Sequence, residues 1–237
     1  MKMLLDDFSV NILDANHKIF VLNVTYFPSK EPDLSEFLDV LHPQELEYCN
    51  RLIHERRLKS YLYGRISIKN AVTQMKENAV HKNILIKNGV FHQPVLICGD
   101  IHNTDVTLAH CDSCAVSMAY CDEYIFGVDI EPLGNERLEH VISKELTEGE
   151  KKAIQSLDHN LGMTILWTVK EAVSKCIKTG LTIPLSMLEV NEIRIGAGYY
   201  MAKCNNFSQY ITNCYILQNK YVLSITHPKT VTINLSL

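Results

Sequence analysis

The sequence predicts an α+β fold made of two similar halves, each with a long helix followed by a meander of antiparallel strands. In the first half, apolar residues recur at helical spacing from Gln44 to Met75, and short strand-like segments follow up to Tyr120. In the second half the same order returns, with helical spacing from Met163 to Lys178 ahead of further strand-like segments. The order of elements, rather than any repeated residue pattern, indicates a duplicated architecture.

Short apolar or alternating runs separated by turn residues predict the individual strands. In the first half the predicted strands are 20–24, 84–87, 95–98, 106–108 and 115–120. In the second half they are 124–130, 187–193, 199–204, 210–217 and 221–226, with an additional helix at 146–156. The boundary is expected near Asp122 and Glu123, which divides the chain into 1–123 and 124–237 and suggests a cleft between the halves.

Composition and charge exclude several classes of protein. The chain has 237 residues, 46% of them hydrophobic, and a formal net charge of −4, so it lacks the global positive field typical of nucleic-acid binding. No apolar run reaches membrane-spanning length, and the first residues lack the apolar core of a signal peptide. The eight scattered cysteines are expected to be reduced thiols. We therefore expect a cytoplasmic protein with neither a nucleic-acid nor a membrane partner.

One cysteine pair has the spacing of a metal or redox motif. Cys111 and Cys114 form a C-x-x-C directly after His110. A structural zinc site needs a second ligand pair at a suitable spacing, and none follows in the sequence. A thioredoxin-like setting is also lacking. The sequence therefore does not predict a zinc site at this pair.

Two segments of the second half combine carboxylates with a lysine. One reads GVDIE and ends at Glu131, and the other reads KEAVSK and ends at Lys175. Asp129 and Glu131 would share one face of a strand, because side chains two residues apart do so, and Glu171 and Lys175 would share one face of a helix. If the helix packs across the strand, three carboxylates converge beside an ammonium. Such a set suits a hydrated Mg²⁺ that carries a diphosphate, and it predicts phosphoryl-type transfer.

Each motif alone has an ordinary structural explanation. A D-x-E on a short strand is commonly a solvated polar face, and a Glu–Lys pair one helical turn apart is commonly a surface pair worth about 0.2–0.5 kcal/mol. Here apolar residues such as Val128, Ile130 and Leu166 surround the charges, and carboxylates in such a setting need a partner. The two motifs together are therefore more specific than either one.

The paired motifs resemble the signatures of the 4′-phosphopantetheinyl transferases, in particular the long, monomeric surfactin-type branch. The resemblance covers about residues 40–228. Further matching positions are Arg51, Gly64 with Arg65, the turn 91–94, the strand 107–110, the segment 178–185 and His227 with Pro228.

This resemblance implies a pseudo-twofold fold that binds coenzyme A (CoA) in the cleft between the halves. It implies transfer of the 4′-phosphopantetheine arm of CoA to a serine of an apo acyl, peptidyl or aryl carrier protein, with release of adenosine 3′,5′-bisphosphate. Fatty-acid, polyketide and nonribosomal peptide biosynthesis are the implied settings. The implied cofactor is Mg²⁺, with Mn²⁺ as the alternative ion, bound by Asp129, Glu131 and Glu171.

The resemblance also implies roles for single residues. Glu171 would take the proton of the carrier serine, and Lys175 would contact or protonate the leaving phosphate. The implied CoA-binding residues are Arg51, Gln93, Pro94, Thr107, His110, Asp129 and Lys175. Arg65 and Glu150 are further candidates, although Arg65 on a packed helix also suits an internal salt bridge. Glu148 competes with Glu150 for the position of an accessory glutamate.

The sequence departs from the family pattern on the CoA side. Gln93 stands where a lysine is usual, Ala109 where a serine is usual, and Glu45 and Tyr48 occupy lysine positions before Arg51. Each departure removes a contact to CoA, whereas the metal and catalytic positions are intact. We therefore expect retained activity with a weaker grip on the CoA 3′-phosphate.

Two other functions remain open from the sequence. A Mg²⁺-dependent nuclease also uses acidic residues and a lysine, but its usual E-x-K pattern would require a lysine where the chain has Val173. A non-catalytic relative that binds CoA or a carrier protein is suggested by the altered CoA contacts. Carrier proteins are typically acidic, so Arg56, Arg57 and Lys59 are candidate contacts for one.

Overall fold

The computed structural model describes residues 7–13, 19–27, 34–111, 114–233 and 235. It contains two compact units, one that extends to Tyr124 and includes Ile233, and one that spans Ile125–Thr232. Each unit packs helices on antiparallel strands, so the α+β class predicted from the sequence is confirmed. None of the described helices is long and apolar enough to cross a membrane.

The first unit packs a long helix on a four-stranded sheet. Its helices are α1 (Pro43–Cys49) and α2 (Glu55–Met75), and its strands are β1 (Asp7–Leu13), β2 (Ile19–Tyr26), β3 (Leu85–Asn88), β4 (Pro94–Ile97), β5 (Asp105–His110) and β6 (Cys114–Tyr120). The strand order is β1-β2-β6-β5, and β3 and β4 form a separate hairpin. Ile68 and Val72 of α2 are fully buried in one apolar cluster with Val21 and Ala119 of the sheet.

The structure divides the helix predicted over 44–75 into two. α1 ends before Asn50, and α2 begins after His54, whose backbone is extended. The Glu45 carboxylate of α1 accepts a hydrogen bond from the N–H of Ile86 in β3 at 3.0 Å. This hydrogen bond holds α1 against β3.

The second unit packs three helices with a five-stranded sheet. Its strands are β7 (Gly127–Pro132), β8 (Val190–Ile195), β9 (Tyr200–Cys204), β10 (Tyr210–Leu217) and β11 (Tyr221–Pro228), and its helices are α3 (Glu136–Glu145), α4 (Glu148–Ile154) and α5 (His159–Cys176). The strand order is β7-β11-β10-β9-β8. Ile165 and Val169 of α5 are buried in one cluster with Cys214 and Val222 of the sheet. β1 and α3 are elements that the sequence patterns did not predict.

A close approach of backbones joins β7 to α5. A Cβ atom at Gly127 would lie 2.0 Å from the carbonyl oxygen of Ala172 and 2.5 Å from the backbone nitrogen of Cys176. Glycine is required here because a side chain would push α5 away from the strand. This contact places the strand that carries Asp129 directly beside the helix that carries Glu171 and Lys175.

The two units repeat one order of elements. β2-α1-α2-β3-β4-β5-β6 corresponds to β7-α4-α5-β8-β9-β10-β11, with β1 and α3 as additions. The sheet orders agree, since β2-β6-β5 matches β7-β11-β10. The duplication inferred from the order of predicted elements is therefore present in the connectivity of the chain.

A buried ion pair occupies the same place in both units. In the first unit, Glu45 of α1 lies 2.6 Å from the Lys69 ammonium of α2. In the second unit, Glu150 of α4 lies 2.6 Å from the Lys170 ammonium of α5, and it accepts a hydrogen bond from the N–H of Val190 in β8 at 3.1 Å. Each pair thus ties a short helix to a long helix and to the strand that follows.

Candidate active site

The carboxylates and the lysine of the two sequence motifs lie together in the second unit. The Lys175 ammonium on α5 lies 2.6 Å from Asp129 Oδ1 on β7 and 3.9 Å from Glu171 Oε2. Glu131, two residues after Asp129, adds its negative charge to the surroundings of Lys175. The strand and the helix therefore gather acidic side chains around one ammonium.

The side chains of this acidic cluster are buried or partly buried. The side chain of Asp129 is 6% exposed and that of Lys175 is 25% exposed. Burial raises the pKa of the Asp129 and Glu171 carboxyl groups, and the Lys175 ammonium opposes that rise. Burial alone would lower the pKa of Lys175, but the carboxylates of Asp129, Glu171 and Glu131 outweigh it and the net shift is upward. Lys175 is therefore held as a cation, and Glu171 is a stronger base than an exposed glutamate.

One oxygen of Asp129 lacks a hydrogen-bond partner among the described residues. Asp129 Oδ2 is buried and has no hydrogen-bond partner within the described part of the chain. Buried polar atoms normally have a partner, and carboxylate oxygens are the ligands that Mg²⁺ prefers. The donors therefore fit a divalent cation in their chemistry. In the described residues, however, no three acidic, histidine or cysteine side chains are arranged closely enough to hold a metal ion as they stand.

The first unit has amides at the corresponding positions. Asn23 of β2 takes the place of Asp129, since each lies opposite a serine of the neighbouring strand. Asn70 of α2 takes the place of Glu171, because each directly follows the lysine of the buried ion pair. A neutral amide does not supply the charge of a carboxylate. At both matching positions the second unit has an acidic residue and the first unit has a neutral one.

Two residues predicted to contact CoA are accessible in the first unit. His110 is exposed at the end of β5, where its Nε2 lies 3.0 Å from Ser60 Oγ of α2. Arg51 is exposed after α1 and pairs with Glu47. Both side chains thus have a polar neighbour and remain open to solvent.

The other CoA-binding candidates of the first unit are more restricted. The Gln93 side-chain oxygen accepts a hydrogen bond from the N–H of Phe91 at 3.0 Å, and so stabilises its own turn between β3 and β4. Pro94 is half-buried at the start of β4. Thr107 is buried in β5 with 4% of its surface exposed, which leaves its side chain little area for a ligand.

Arg65 and Glu150, the two further candidates, have structural partners. Arg65 donates a hydrogen bond to Asn88 Oδ1 at 3.1 Å, and its guanidinium lies over the Tyr61 ring. Glu150 accepts from Lys170 on one oxygen and from the N–H of Thr147 on the other. Arg65 Nε also lies 3.8 Å from Glu45 Oε1, in line with the internal salt bridge that its position on a packed helix suggested. The contacts of Glu150 give it a role inside its unit that the sequence motifs did not reveal.

Comparison with known proteins identifies a family model for the second unit. The model described as the 4′-phosphopantetheinyl transferase superfamily matches residues 125–226, a region that contains Asp129, Glu131, Glu171 and Lys175. None of the curated proteins compared with the chain matches it. Among solved structures, a holo-(acyl-carrier-protein) synthase from Bacillus anthracis strain Ames, in complex with CoA (3′,5′-ADP), has a TM-score of 0.40 and 18% identity, over 47% of this chain and 97% of that chain.

Proposed function

We propose, from the match of residues 125–226 to the 4′-phosphopantetheinyl transferase superfamily, that this chain transfers the 4′-phosphopantetheine arm of CoA to a carrier-protein serine. The acceptor is an apo acyl or peptidyl carrier protein, and adenosine 3′,5′-bisphosphate is released. The observation that carries the proposal is the cluster of Asp129, which is buried, with the partly buried Glu171 and Lys175 inside the matched region. We place the chain in the surfactin-type branch, acting as a monomer, because the sequence resemblance extends into its first half.

Asp129, Glu131 and Glu171 are the residues that we propose as ligands of Mg²⁺ or, alternatively, Mn²⁺. When bound, the ion would neutralise charge on the CoA diphosphate. The buried Asp129 Oδ2, which has no hydrogen-bond partner in the part of the chain that the structure describes, supports this assignment. So does the composition of the site, since carboxylate oxygens suit both ions.

Glu171 and Lys175 have complementary roles in the proposed transfer. The serine oxygen of the carrier forms a bond to the phosphorus of the pantetheine phosphate, and Glu171 accepts the serine proton. A carboxylate within hydrogen-bonding reach of the serine hydroxyl can act as this general base. The bond between that phosphorus and the bridging oxygen breaks, and Lys175 donates a hydrogen bond to the departing phosphate.

Release of adenosine 3′,5′-bisphosphate tests this function against the two alternatives. We expect the nucleotide to appear only when CoA, Mg²⁺ and an apo carrier protein are all present, and removal of the metal with EDTA should stop its release. A nuclease would instead nick plasmid DNA. A non-catalytic relative would bind CoA or the carrier without releasing nucleotide, and either of these results would contradict the proposal.

The CoA 3′-phosphate should contribute little to the specificity of the enzyme. Gln93 is engaged in its own turn, and it is neutral where the resembling family has a lysine. We therefore expect kcat/KM for CoA to exceed that for dephospho-CoA by less than about tenfold, which corresponds to about 1.4 kcal/mol. The variant Gln93→Lys should increase the ratio. A large preference for CoA in the unmodified protein would contradict the expectation.

Lys175 should compete with the metal ion for Asp129. Its ammonium lies 2.6 Å from Asp129 Oδ1, so an ion bound by this carboxylate is repelled by the lysine. We expect Lys175→Met to bind Mn²⁺ at least about tenfold more tightly in calorimetric titrations without CoA, yet to transfer more slowly. Lys152→Met, on the exposed side of α4, is the matched control. Unchanged or weaker Mn²⁺ binding by Lys175→Met would exclude this competition.

A further inference from the structure

Two cysteines that the proposed transfer does not use lie side by side where β5 and β6 meet. Cys111 Sγ and Cys114 Sγ are 3.3 Å apart. The N–H of Cys111 also donates a hydrogen bond to the carbonyl oxygen of Cys114 at 2.9 Å. Cys111 directly follows β5, which ends at His110, and Cys114 is the first residue of β6.

The geometry of this cysteine pair is suited to a disulfide bond. Residues that lie opposite each other in antiparallel strands have Cα atoms about 4.5–5.5 Å apart, and disulfides span Cα distances of about 4.4–6.8 Å. The sulfur atoms of a disulfide are separated by about 2.0 Å. Small rotations of the two side chains can therefore bring the thiols from 3.3 Å to bonding distance.

The two thiols differ in their access to solvent. Cys111 is partly exposed, whereas Cys114 is fully buried. A small oxidant in solution therefore meets Cys111 first. The Cys114 sulfur is placed to react with the Cys111 sulfur rather than with the oxidant itself.

We propose that Cys111 and Cys114 form a redox modification site that a low-molecular-weight disulfide, such as glutathione disulfide, oxidises. The Cys111 thiolate attacks one sulfur of the oxidant, forms a mixed disulfide and releases one glutathione thiolate. The Cys114 thiolate then attacks the Cys111 sulfur and releases the second. Two protein thiols lose two electrons and two protons, and glutathione disulfide is reduced to two molecules of glutathione.

Peptide mapping of the full chain tests this site. The protein is incubated with excess glutathione disulfide, its remaining thiols are alkylated, and it is cleaved before aspartate residues. Cleavage before Asp112 separates the two cysteines, so a disulfide is seen as two linked peptides by mass spectrometry. We expect this link in the wild-type chain and in Cys121→Ser, whose altered residue lies on the same peptide as Cys114.

Two variants establish the order of attack. Cys114→Ser should accumulate a stable glutathione adduct on Cys111, because the resolving thiol is missing. Cys111→Ser, a change at a partly exposed position, should show neither the link nor an adduct on the buried Cys114. A persistent adduct on Cys111 of the wild-type chain, or complete alkylation of both cysteines, would overturn the proposal. All of these outcomes are read without measuring transfer, so they stand apart from the proposed function.

Discussion

Replacing Glu171 with glutamine should lower the rate of carrier-protein loading by about 10³-fold or more, because one substitution removes a base and a metal ligand. The amide keeps the size of the side chain but neither accepts a proton well nor carries the negative charge that a divalent cation needs. Glu171 lies 3.9 Å from Lys175, so the change also reduces the negative charge that holds this ammonium. The loading rate of an apo carrier at saturating CoA and Mg²⁺ measures the effect.

A matched glutamate separates this effect from a general loss of acidic charge. Glu145→Gln alters an exposed side chain at the end of α3 to which no role in the transfer is assigned, and it should load the carrier at the wild-type rate. Melting temperatures equal to that of the wild-type protein would show that both variants keep the fold. Loading by Glu171→Gln within a few-fold of wild type would remove Glu171 from both proposed roles.

The second large effect is on stability. Lys170→Met should lower the free energy of unfolding by about 3–5 kcal/mol, because it leaves the buried Glu150 carboxylate without its counter-charge. The pair is 2.6 Å apart and almost fully shielded from water. Glu150 also accepts backbone hydrogen bonds from Thr147 and Val190, so it cannot turn outward to solvent without breaking them. Urea unfolding followed by circular dichroism measures the change.

Two further variants test whether burial is the cause. Lys151→Met breaks an exposed pair with Glu148 on α4 and should leave the stability nearly unchanged. Lys69→Met breaks the corresponding buried pair of the first unit and should also destabilise the protein, but less than Lys170→Met, because Arg65 Nε stays 3.8 Å from Glu45 Oε1. If Lys170→Met and Lys151→Met had equal effects, the buried pairs would not have the structural role assigned to them.

Local periodicity predicted the elements that carry the candidate site. Two-residue spacing on a strand paired Asp129 with Glu131, and four-residue spacing on a helix paired Glu171 with Lys175. The structure brings Asp129, Glu171 and Lys175 together. The reason that strand and helix meet there was less visible. It depends on Gly127, because the lack of a side chain there lets the backbone of α5 approach the strand. A glycine in a sequence does not indicate which segment packs against it.

The buried ion pairs show what single-sequence patterns miss. Both glutamates follow a capping-box pattern, His42-x-x-Glu45 and Thr147-x-x-Glu150, which predicts the start of a helix but not a distant lysine partner. The division between α1 and α2 was also missed. Local helix periodicity continues from Gln44 to Met75 and does not show that the helix is interrupted between Asn50 and His54.

The intact mass of an apo carrier protein, incubated with this chain, CoA and Mg²⁺, tests the central claim most directly. The account predicts that the carrier gains the mass of one phosphopantetheine group, and that a carrier whose acceptor serine is replaced by alanine gains nothing. An unchanged mass for a carrier that another phosphopantetheinyl transferase loads under the same conditions would contradict the proposed function.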